Sequence, residues 1–266
     1  MVCSVAETAS VDSRARLAQD VVIGPGCVIG PEVEIGRGTR LAGHICLMGA
    51  VKLGEFNTIG PFVAIGGAPQ DLSYWGKTTR VQIGNHNVIG ERVTIHRASE
   101  KEDGVTSIGS NNAFLGGAHI AHDCKLGDRI TMGMGSLLGG HVRVECDVTI
   151  SENVAVHQFV TVGNDSFIGG HSKITTDIPR YMRVEGNPSI VRGIDGQRLK
   201  QRGLSGDSLA ALREAHRLIY VTKMPLEQAA TLLDENGHLV PEVLLLLKFL
   251  ESQHEGRVGR ARERRR

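Results

Sequence analysis

The chain has 266 residues, of which 41% are hydrophobic, and a formal net charge of +1 at pH 7. This length allows one large domain or two modest ones with a sizeable core. The near-balance of charge does not indicate a nucleic-acid binder. The longest apolar run, at 243 to 250, is too short for stable membrane insertion. Five cysteines without CxxC spacing and a start without an apolar signal core predict a cytoplasmic protein with reduced thiols.

An aliphatic or other apolar residue recurs at every sixth position through most of the chain. The 26 positions run from Val5 to Ile65, from Ile83 to Ile95 and from Ile108 to Ile174. Glycine often follows this residue, as in "IGPGCV" and "LGEFNT". We expect each hexad to be a short strand with its apolar residue (the anchor) inward and the glycine allowing a sharp, often positive-φ turn. Successive sides then wind into coils that stack ~4.8 Å apart.

Two stretches interrupt the hexads, and a different pattern follows them. Residues 66–82 and 96–107 are predicted to project as loops that border the binding face. After residue 186 helical spacing predicts helices over 205–222, from Pro225 to Gly237, and from Pro241 to about Gln253. The basic stretch 257–266 is predicted to be a solvated, partly disordered tail. The predicted domains are therefore 1–186 and 187–266.

These hexads resemble the hexapeptide-repeat family over roughly residues 5 to 180. The resemblance implies a left-handed parallel β-helix with three hexads in each triangular coil. The handedness comes from the resemblance alone, since parallel crossovers are usually right-handed. The expected fold class is all-β, a left-handed parallel β-helix of hexapeptide repeats, followed by a small α-helical C-terminal domain.

Four histidines fall on one corner or face of successive coils when three hexads form a coil: His96, His122, His141 and His157. Asp123 directly follows His122, and a histidine oriented by a carboxylate is a general base. Such a base can drive acyl transfer to a hydroxyl or an amine without a protein nucleophile.

The backbone N–H groups of Gly139 and Gly140, one coil further on, could receive the oxyanion of such a transfer. Three readings remain open beside it. Three histidines can hold Zn²⁺ with an open fourth position. Cys124 could be a nucleophile, although no activating partner is evident. The histidines could also be purely structural.

Seven motifs resemble, in order, the acyl-carrier-protein:UDP-N-acetylglucosamine O-acyltransferase family of lipid A synthesis. They are "APQDL" (68–72), "TIHR" (94–97), "AHIAHDC" (118–124), "GGHV" (139–142), "VHQF" (156–159), "EGNP" (185–188) and "LKQRG" (199–203). The resemblance implies transfer of a (3-hydroxy)acyl chain from acyl carrier protein to the sugar 3-hydroxyl. It implies a homotrimer and no metal or cofactor, with His122 as base, Asp123 as its orienting acid and the Gly140 N–H on the oxyanion.

The resemblance also implies a set of residues that bind substrate. They are Gln70, Asp71, Ser73, His96, His119, His141, His157, Gln158, Gly170, Asp195, Gln201 and Arg202. Among them, Gly170 would limit the acyl length. Arg202, with Lys200 and Arg198, would meet the nucleotide phosphate or the acidic carrier protein, or else form a solvated helix face.

The chain departs from the family pattern at a few positions. Ser73 stands where a lysine is usual, so that a cation is missing or comes from elsewhere, such as Lys77. Gln201 replaces one basic residue, and Ser151 with Glu152 replaces a glycine pair. Three alternatives stay open: a hexapeptide-repeat N-acyltransferase acting on a related UDP-amino sugar, a metal-dependent relative such as a carbonic anhydrase, and a non-enzymatic hexapeptide-repeat protein.

Overall fold

The computed structural model describes residues 3–263, which form a left-handed parallel β-helix and four α-helices. Each coil contributes one short strand to each of three sheets. The first sheet contains Ser4–Val5, Val22–Ile23, Arg40–Leu41, Thr58–Ile59, Val88–Ile89, Ala113–Phe114, Thr131–Met132, Thr149–Ile150, Phe167–Ile168, Met182–Gly186 and Ser189–Ile194.

The second and third sheets complete the triangular coil. The second contains Ser10–Val11, Val28–Ile29, Cys46–Leu47, Ala64–Gly67, Thr94–His96, His119–Ile120, Leu137–Leu138, Ala155–Val156 and Lys173–Ile174. The third contains Arg16–Leu17, Val33–Ile35, Ala50–Leu53, Arg80–Ile83, Val105–Ile108, Lys125–Leu126, Arg143–Val144 and Thr161–Val162. Neighbouring strands are parallel, except in the terminal hairpin of the first sheet.

The predicted anchors form the core of the coil. Every anchor from Ile23 to Ile174 is at most 5% exposed, whereas Val5 is 43% exposed because its strand lies at the edge of the first sheet. A second buried column lies two residues before each anchor, beginning with Val21 and Cys27. The six-residue period did not reveal this column, because its members include small and polar residues.

Three asparagines of this second column carry a ladder of buried hydrogen bonds: Asn57, Asn87 and Asn112. The Asn87 side-chain oxygen accepts the backbone N–H of Asn112 at 2.9 Å, and its amide donates to the Gly109 carbonyl at 3.1 Å. The same oxygen of Asn57 accepts the N–H of Asn87 at 2.9 Å. A buried amide whose donors and acceptor are paired adds specificity to the coil without an unsatisfied polar atom.

The positive φ predicted for the glycine after each anchor is found at Gly66, with φ 86°, but not at most of these positions. Gly24 and Gly54 do not adopt positive φ. A Cβ at Gly24 would lie 1.7 Å from the Ala42 carbonyl oxygen of the next coil, so glycine is needed for close approach. The left-handed residue instead stands three positions after the anchor, as at His44 with φ 51° and Asp123 with φ 61°.

The strands pair across both interruptions, so the coil continues past them. Ile65 pairs with Ile95, and Ile95 with Ile120, as the predicted column requires. Strand pairing also takes in the edges of the interruptions. The segments without strands are shorter than predicted and run over 68–79 (the first loop) and 97–104 (the second loop).

The helices follow the sheet hairpin, whose second strand ends at Ile194, beyond the predicted boundary at residue 186. They are α1 (Gly196–Gln201), α2 (Gly206–His216), which continues as a π-helical turn (Arg217–Val221), α3 (Leu226–Glu235) and α4 (Pro241–Glu255). The sequence predicted the last three and missed α1, which is too short to show a period. None of the helices within residues 3–263 has the length and apolar character needed to cross a membrane.

The segment after α4, residues 256–263, is called here the C-terminal strap. It was predicted to be solvated, and this is wrong for the part described, because it packs back onto the β-helix. The Ala261 N–H donates to Asp177 Oδ2 at 2.8 Å, and the guanidinium of Arg260, 7% exposed, donates to the Thr175 carbonyl at 2.6 Å. Residues 264–266 of the predicted tail lie outside the described residues.

Candidate active site

His122 and Asp123 lie at the corner that follows the second sheet, two and three residues after the buried anchor Ile120. Asp123 adopts φ 61°, a conformation that aspartate tolerates better than most residues. The turn brings the two neighbouring side chains together, with Nδ1 of His122 2.8 Å from Oδ2 of Asp123. The histidine–carboxylate contact predicted from the sequence is therefore present.

The Asp123 carboxylate is buried and receives further hydrogen bonds from the second loop. Ser99 donates its Oγ–H at 2.7 Å and its backbone N–H at 3.0 Å to Oδ2. Burial opposes ionisation, but the hydrogen bonds from His122 and Ser99 outweigh it and hold the pKa of Asp123 below its usual value. An ionised Asp123 accepts a hydrogen bond from Nδ1–H of His122. The other ring nitrogen, Nε2, is then free to accept a proton.

Gly140 lies on the next coil, against the imidazole of His122. A Cβ at this position would be 2.6 Å from Cε1 and 2.7 Å from Nε2 of His122, so only glycine leaves room for the ring. Within residues 3–263 the Gly140 N–H makes no hydrogen bond. A free amide beside a free imidazole nitrogen is the arrangement that stabilises an oxyanion next to a general base.

An open cavity of 390 Å³ lies over this corner. Of the predicted substrate-binding residues, Gln70, His119 and Gln158 line it together with His122 and Gly140. His119 Nδ1 is 2.8 Å from Thr94 Oγ1. Burial, followed by the neighbouring His96 and His122, lowers the pKa of His119, so its ring is neutral at pH 7. The wall of the cavity is thus largely uncharged.

His96, His141 and His157 lie near the cavity but outside its lining. The ring of His96 meets His119 edge-on at 5.4 Å, with its Nδ1 2.7 Å from the Ala68 carbonyl oxygen. The ring of His141 meets His122 edge-on at 5.3 Å. His157 is exposed, and its Nδ1 lies 2.9 Å from the neighbouring Gln158 carbonyl.

Asp71 joins the two loops instead of lining the cavity, and Ser73 supports it from the first loop. Lys101 of the second loop lies 2.5 Å from Asp71, and the Ser73 hydroxyl donates to Asp71 at 2.8 Å. The hydrogen bonds from Lys101 and Ser73 hold the pKa of Asp71 well below its usual range. The cation beside Asp71 is therefore Lys101, whereas Lys77 contributes its backbone carbonyl, which accepts from the Tyr74 hydroxyl at 2.7 Å.

The remaining predicted residues lie at other corners of the coil or on α1. Gly170 is at the corner that follows the first sheet, where a Cβ would be 2.8 Å from Oε1 of Glu152. Asp195 caps α1, on which Gln201 is exposed. Arg202 follows α1 and forms ion pairs with Asp147 and Asp165, at the corner after the third sheet. A single chain therefore does not bring Gly170, Asp195, Gln201 or Arg202 to His122.

The geometry bears on the two other chemical readings. Among residues 3–263 one group, His122, Asp123 and His141, offers metal-ligand atoms within 4.8 Å of one another, and no third histidine joins it. The Nδ1 of His122 and the Asp123 carboxylate are already paired, which suits a base better than a zinc shell. Burial raises the pKa of the Cys124 thiol to about 12, so Cys124 is not a nucleophile at neutral pH.

A coil of hexapeptide strands that carries a histidine–carboxylate pair beneath a free amide defines the class of hexapeptide-repeat acyltransferases. A family model described as domain 2 of UDP-N-acetylglucosamine O-acyltransferase matches residues 177–258. Acyl-[acyl-carrier-protein]–UDP-N-acetylglucosamine O-acyltransferases from Thermodesulfovibrio yellowstonii and Syntrophobacter fumaroxidans are 40% and 42% identical over 250 residues, 94% of this chain and 97% of each relative. The chain belongs to this O-acyltransferase family.

Solved structures agree over nearly the whole chain. The UDP-N-acetylglucosamine acyltransferase of Bacteroides fragilis has a TM-score of 0.89 at 30% identity, covering 93% of this chain and 96% of its own. That of Francisella novicida has a TM-score of 0.87 at 33% identity, covering 93% and 91%.

Proposed function

We propose that the protein transfers an acyl chain from acyl carrier protein to the 3-hydroxyl of UDP-N-acetylglucosamine, the first step of lipid A synthesis. The observation that carries this proposal is the free Nε2 of His122 beside the unpaired N–H of Gly140 at an open cavity. The names of relatives that are about 40% identical along nearly the whole chain give the same acyl donor, the same sugar nucleotide and O-acylation.

In the proposed reaction His122 Nε2 takes the proton of the sugar 3-hydroxyl as its oxygen attacks the thioester carbonyl. Asp123 keeps the imidazole oriented and stabilises the imidazolium that forms. The carbonyl oxygen becomes an oxyanion that accepts a hydrogen bond from the Gly140 N–H. The tetrahedral intermediate then expels the carrier thiolate, which takes the proton from His122, so the base is restored and no cofactor is consumed.

Substrate recognition is assigned to the predicted residues in two groups. Gln70, His119 and Gln158 contact the sugar or the acyl chain in the cavity, and Asp71, Ser73, His96, His141 and His157 support its edges. Gly170, Asp195, Gln201 and Arg202 belong to other corners and reach the cavity only from another copy of the chain. Gly170 would then set the acyl length, next to Glu152.

A homotrimer is part of this proposal, and the faces of the coil support it. The outward residues just before the anchors include five charged ones on the third sheet: Arg16, Glu34, Lys52, Lys125 and Arg143. Within the hexads, the same positions carry one charged residue on each of the other sheets, Arg40 and Lys173, beside exposed apolar residues such as Val28 and Leu137. Arg183 adds a charge to the first sheet only in its terminal hairpin. Two nearly uncharged faces are suited to association between copies.

A cytoplasmic location completes the proposal. All five cysteines are free thiols in the structure, which suits a reducing compartment. Cell fractionation with a reporter for the bacterial cytoplasm tests this location, and recovery with the periplasmic fraction would contradict it.

The test is product formation from UDP-N-acetylglucosamine and a panel of acyl-carrier-protein thioesters of different length, with and without a 3-hydroxyl. The wild type is expected to give an acylated sugar whose mass reports the chain length. His122→Ala is expected to lose about a thousandfold in kcat, as removal of a general base does. An unreactive panel, or full activity of His122→Ala with an intact melting transition, would contradict the proposal. Light scattering should give three times the chain mass.

A further inference from the structure

Three distant segments of the chain meet at the buried ring of His141, behind the His122–Asp123 pair. On one side, His141 Nδ1 lies 3.0 Å from Oε1 of Glu102, a residue of the second loop. On the other, its Nε2 lies 3.7 Å from Oδ2 of Asp123. The ring also stacks on Phe159 at 4.6 Å, which fixes its plane.

The two carboxylates face opposite nitrogens of the same ring, so the position of the ring proton matters. The Glu102 carboxylate accepts a hydrogen bond from Nδ1, so this contact favours the His141 tautomer that carries its proton on Nδ1. Nε2 then carries no proton and cannot donate to Asp123. His141 therefore does not compete with His122 for the Asp123 carboxylate.

Without Glu102, the opposite tautomer of His141 would become favourable. A proton on Nε2 would point at Asp123 Oδ2, and a small movement from 3.7 Å would close that hydrogen bond. Oδ2 is the oxygen that His122 Nδ1 contacts. A second donor there would weaken the hold of Asp123 on His122 and shift the imidazole away from Gly140.

Arg262 of the C-terminal strap keeps Glu102 in this place. Its guanidinium donates to Oε1 of Glu102 at 2.9 Å and also to the backbone carbonyl of His141. The strap is anchored independently by Ala261 and Arg260 on the β-helix. The guanidinium thus links the second loop to the corner of His141, which precedes Arg262 by 121 residues in the chain.

From these contacts we infer that Glu102 and Arg262 are positioning residues for the acyl transfer: they fix the tautomer of His141 so that Asp123 serves His122 alone. This role rests on the proposed function, and neither residue touches the reacting atoms. The C-terminal strap, through Arg262, thereby belongs to the support of the active site.

The experiment combines steady-state kinetics on the full chain with ¹⁵N spectra of its histidine rings, using His141→Gln to assign the His141 signals. In the parent, His141 should be protonated on Nδ1. Glu102→Ala should move that proton to Nε2 and lower kcat about tenfold, with KM within about threefold. Glu102→Gln keeps an acceptor oxygen and should restore both the tautomer and most of kcat.

Matched controls come from the same segments. Asp103→Ala removes a neighbouring carboxylate that binds Lys125, and Arg257→Met removes an exposed arginine of the strap, so both should keep the parental kcat. Arg262→Met should reproduce Glu102→Ala, and the double variant should lose no more than either single one, because the two act as one unit.

This role would be overturned if His141 of the parent protein were protonated on Nε2. It would also be overturned if Glu102→Ala and Arg262→Met each kept the parental tautomer and kcat. Losses that multiply in the double variant would overturn it as well. The ring spectra need no substrate, so they separate a failure of this inference from a failure of the proposed acyl transfer.

Discussion

His44 and His141 occupy the same position of the hexad at two different corners of the coil. Both have left-handed φ, 51° and 62°, and each ring lies flat on a phenylalanine one coil further on, Phe62 and Phe159. His44 is exposed, and its imidazole has no hydrogen-bond partner within residues 3–263, whereas His141 is 4% exposed.

The residue one coil before each histidine differs as well. Gly26 lies under His44, where a Cβ would be 2.6 Å from Nδ1, whereas Asp123 lies near His141. The repeat thus builds the same histidine–phenylalanine stack at both corners. Only the second corner is covered by segments outside the repeat, the second loop and the C-terminal strap. The proposed catalytic pair therefore lies at the corner that these segments bury.

The largest loss of activity should come from Asp123→Asn. This substitution removes the carboxylate that distinguishes the His141 corner from the His44 corner. Asparagine tolerates left-handed φ, so the turn should remain. Without the charge His122 loses its orientation and the stabilisation of its imidazolium, and kcat should fall about a thousandfold. Kinetics beside a thermal melt check this, and a kcat within tenfold of the parent would contradict it.

The next effect concerns the glycine that makes room for His122. Gly140→Ala places a methyl group on Cε1 and Nε2 of the imidazole and should lower kcat about a hundredfold by displacing the base from the oxyanion site. Gly206→Ala, at a helical position with open space, is the matched control and should leave kcat unchanged. Equal kinetics for the two variants would show that the Gly140 contact does not matter.

A direct comparison of the two corners uses one substitution at each. His141→Ala should lower kcat ten- to a hundredfold, because His122 loses its edge-on neighbour. His44→Ala should keep the parental kcat and lower the free energy of unfolding by about 1 kcal/mol through loss of stacking on Phe62. If both variants have the same kcat, the two corners do not differ in their contribution to catalysis, and this prediction is wrong.

The smallest effect is on stability against acid. The pKa of Asp123 is lower in the folded protein than in the unfolded chain, where it is about 3.9. Its stabilising contribution is therefore complete above that value and is lost as the pH falls through the folded pKa. The difference in unfolding free energy between the parent and Asp123→Asn should shrink from pH 6 to pH 3. Denaturant titrations at several pH values measure it, and a constant difference would contradict it.

The sequence by itself determined the scaffold and the central pair. One apolar residue per hexad is a local rule repeated many times, so the short strands and their stacking into coils follow from spacing. The three hexads per coil and the handedness came from the family resemblance, and with them the columns and the neighbours of Ile120 follow. His122 and Asp123 are adjacent in the chain, and a corner needs only one left-handed residue to bring their side chains together. The three longer helices follow for the same reason, from local periodicity.

Only the tertiary structure decided what lies around that pair. Ser99, Glu102 and Arg262 reach it from a loop and a strap without any period, and their contacts span 24 to 160 residues of the chain. A run of charged residues considered by itself predicts a solvent-exposed segment, because its sequence does not say which surface of the protein it will cover. The approach of Arg262 to His141 depends on how the helices return the chain to the coil, and no local pattern encodes that return.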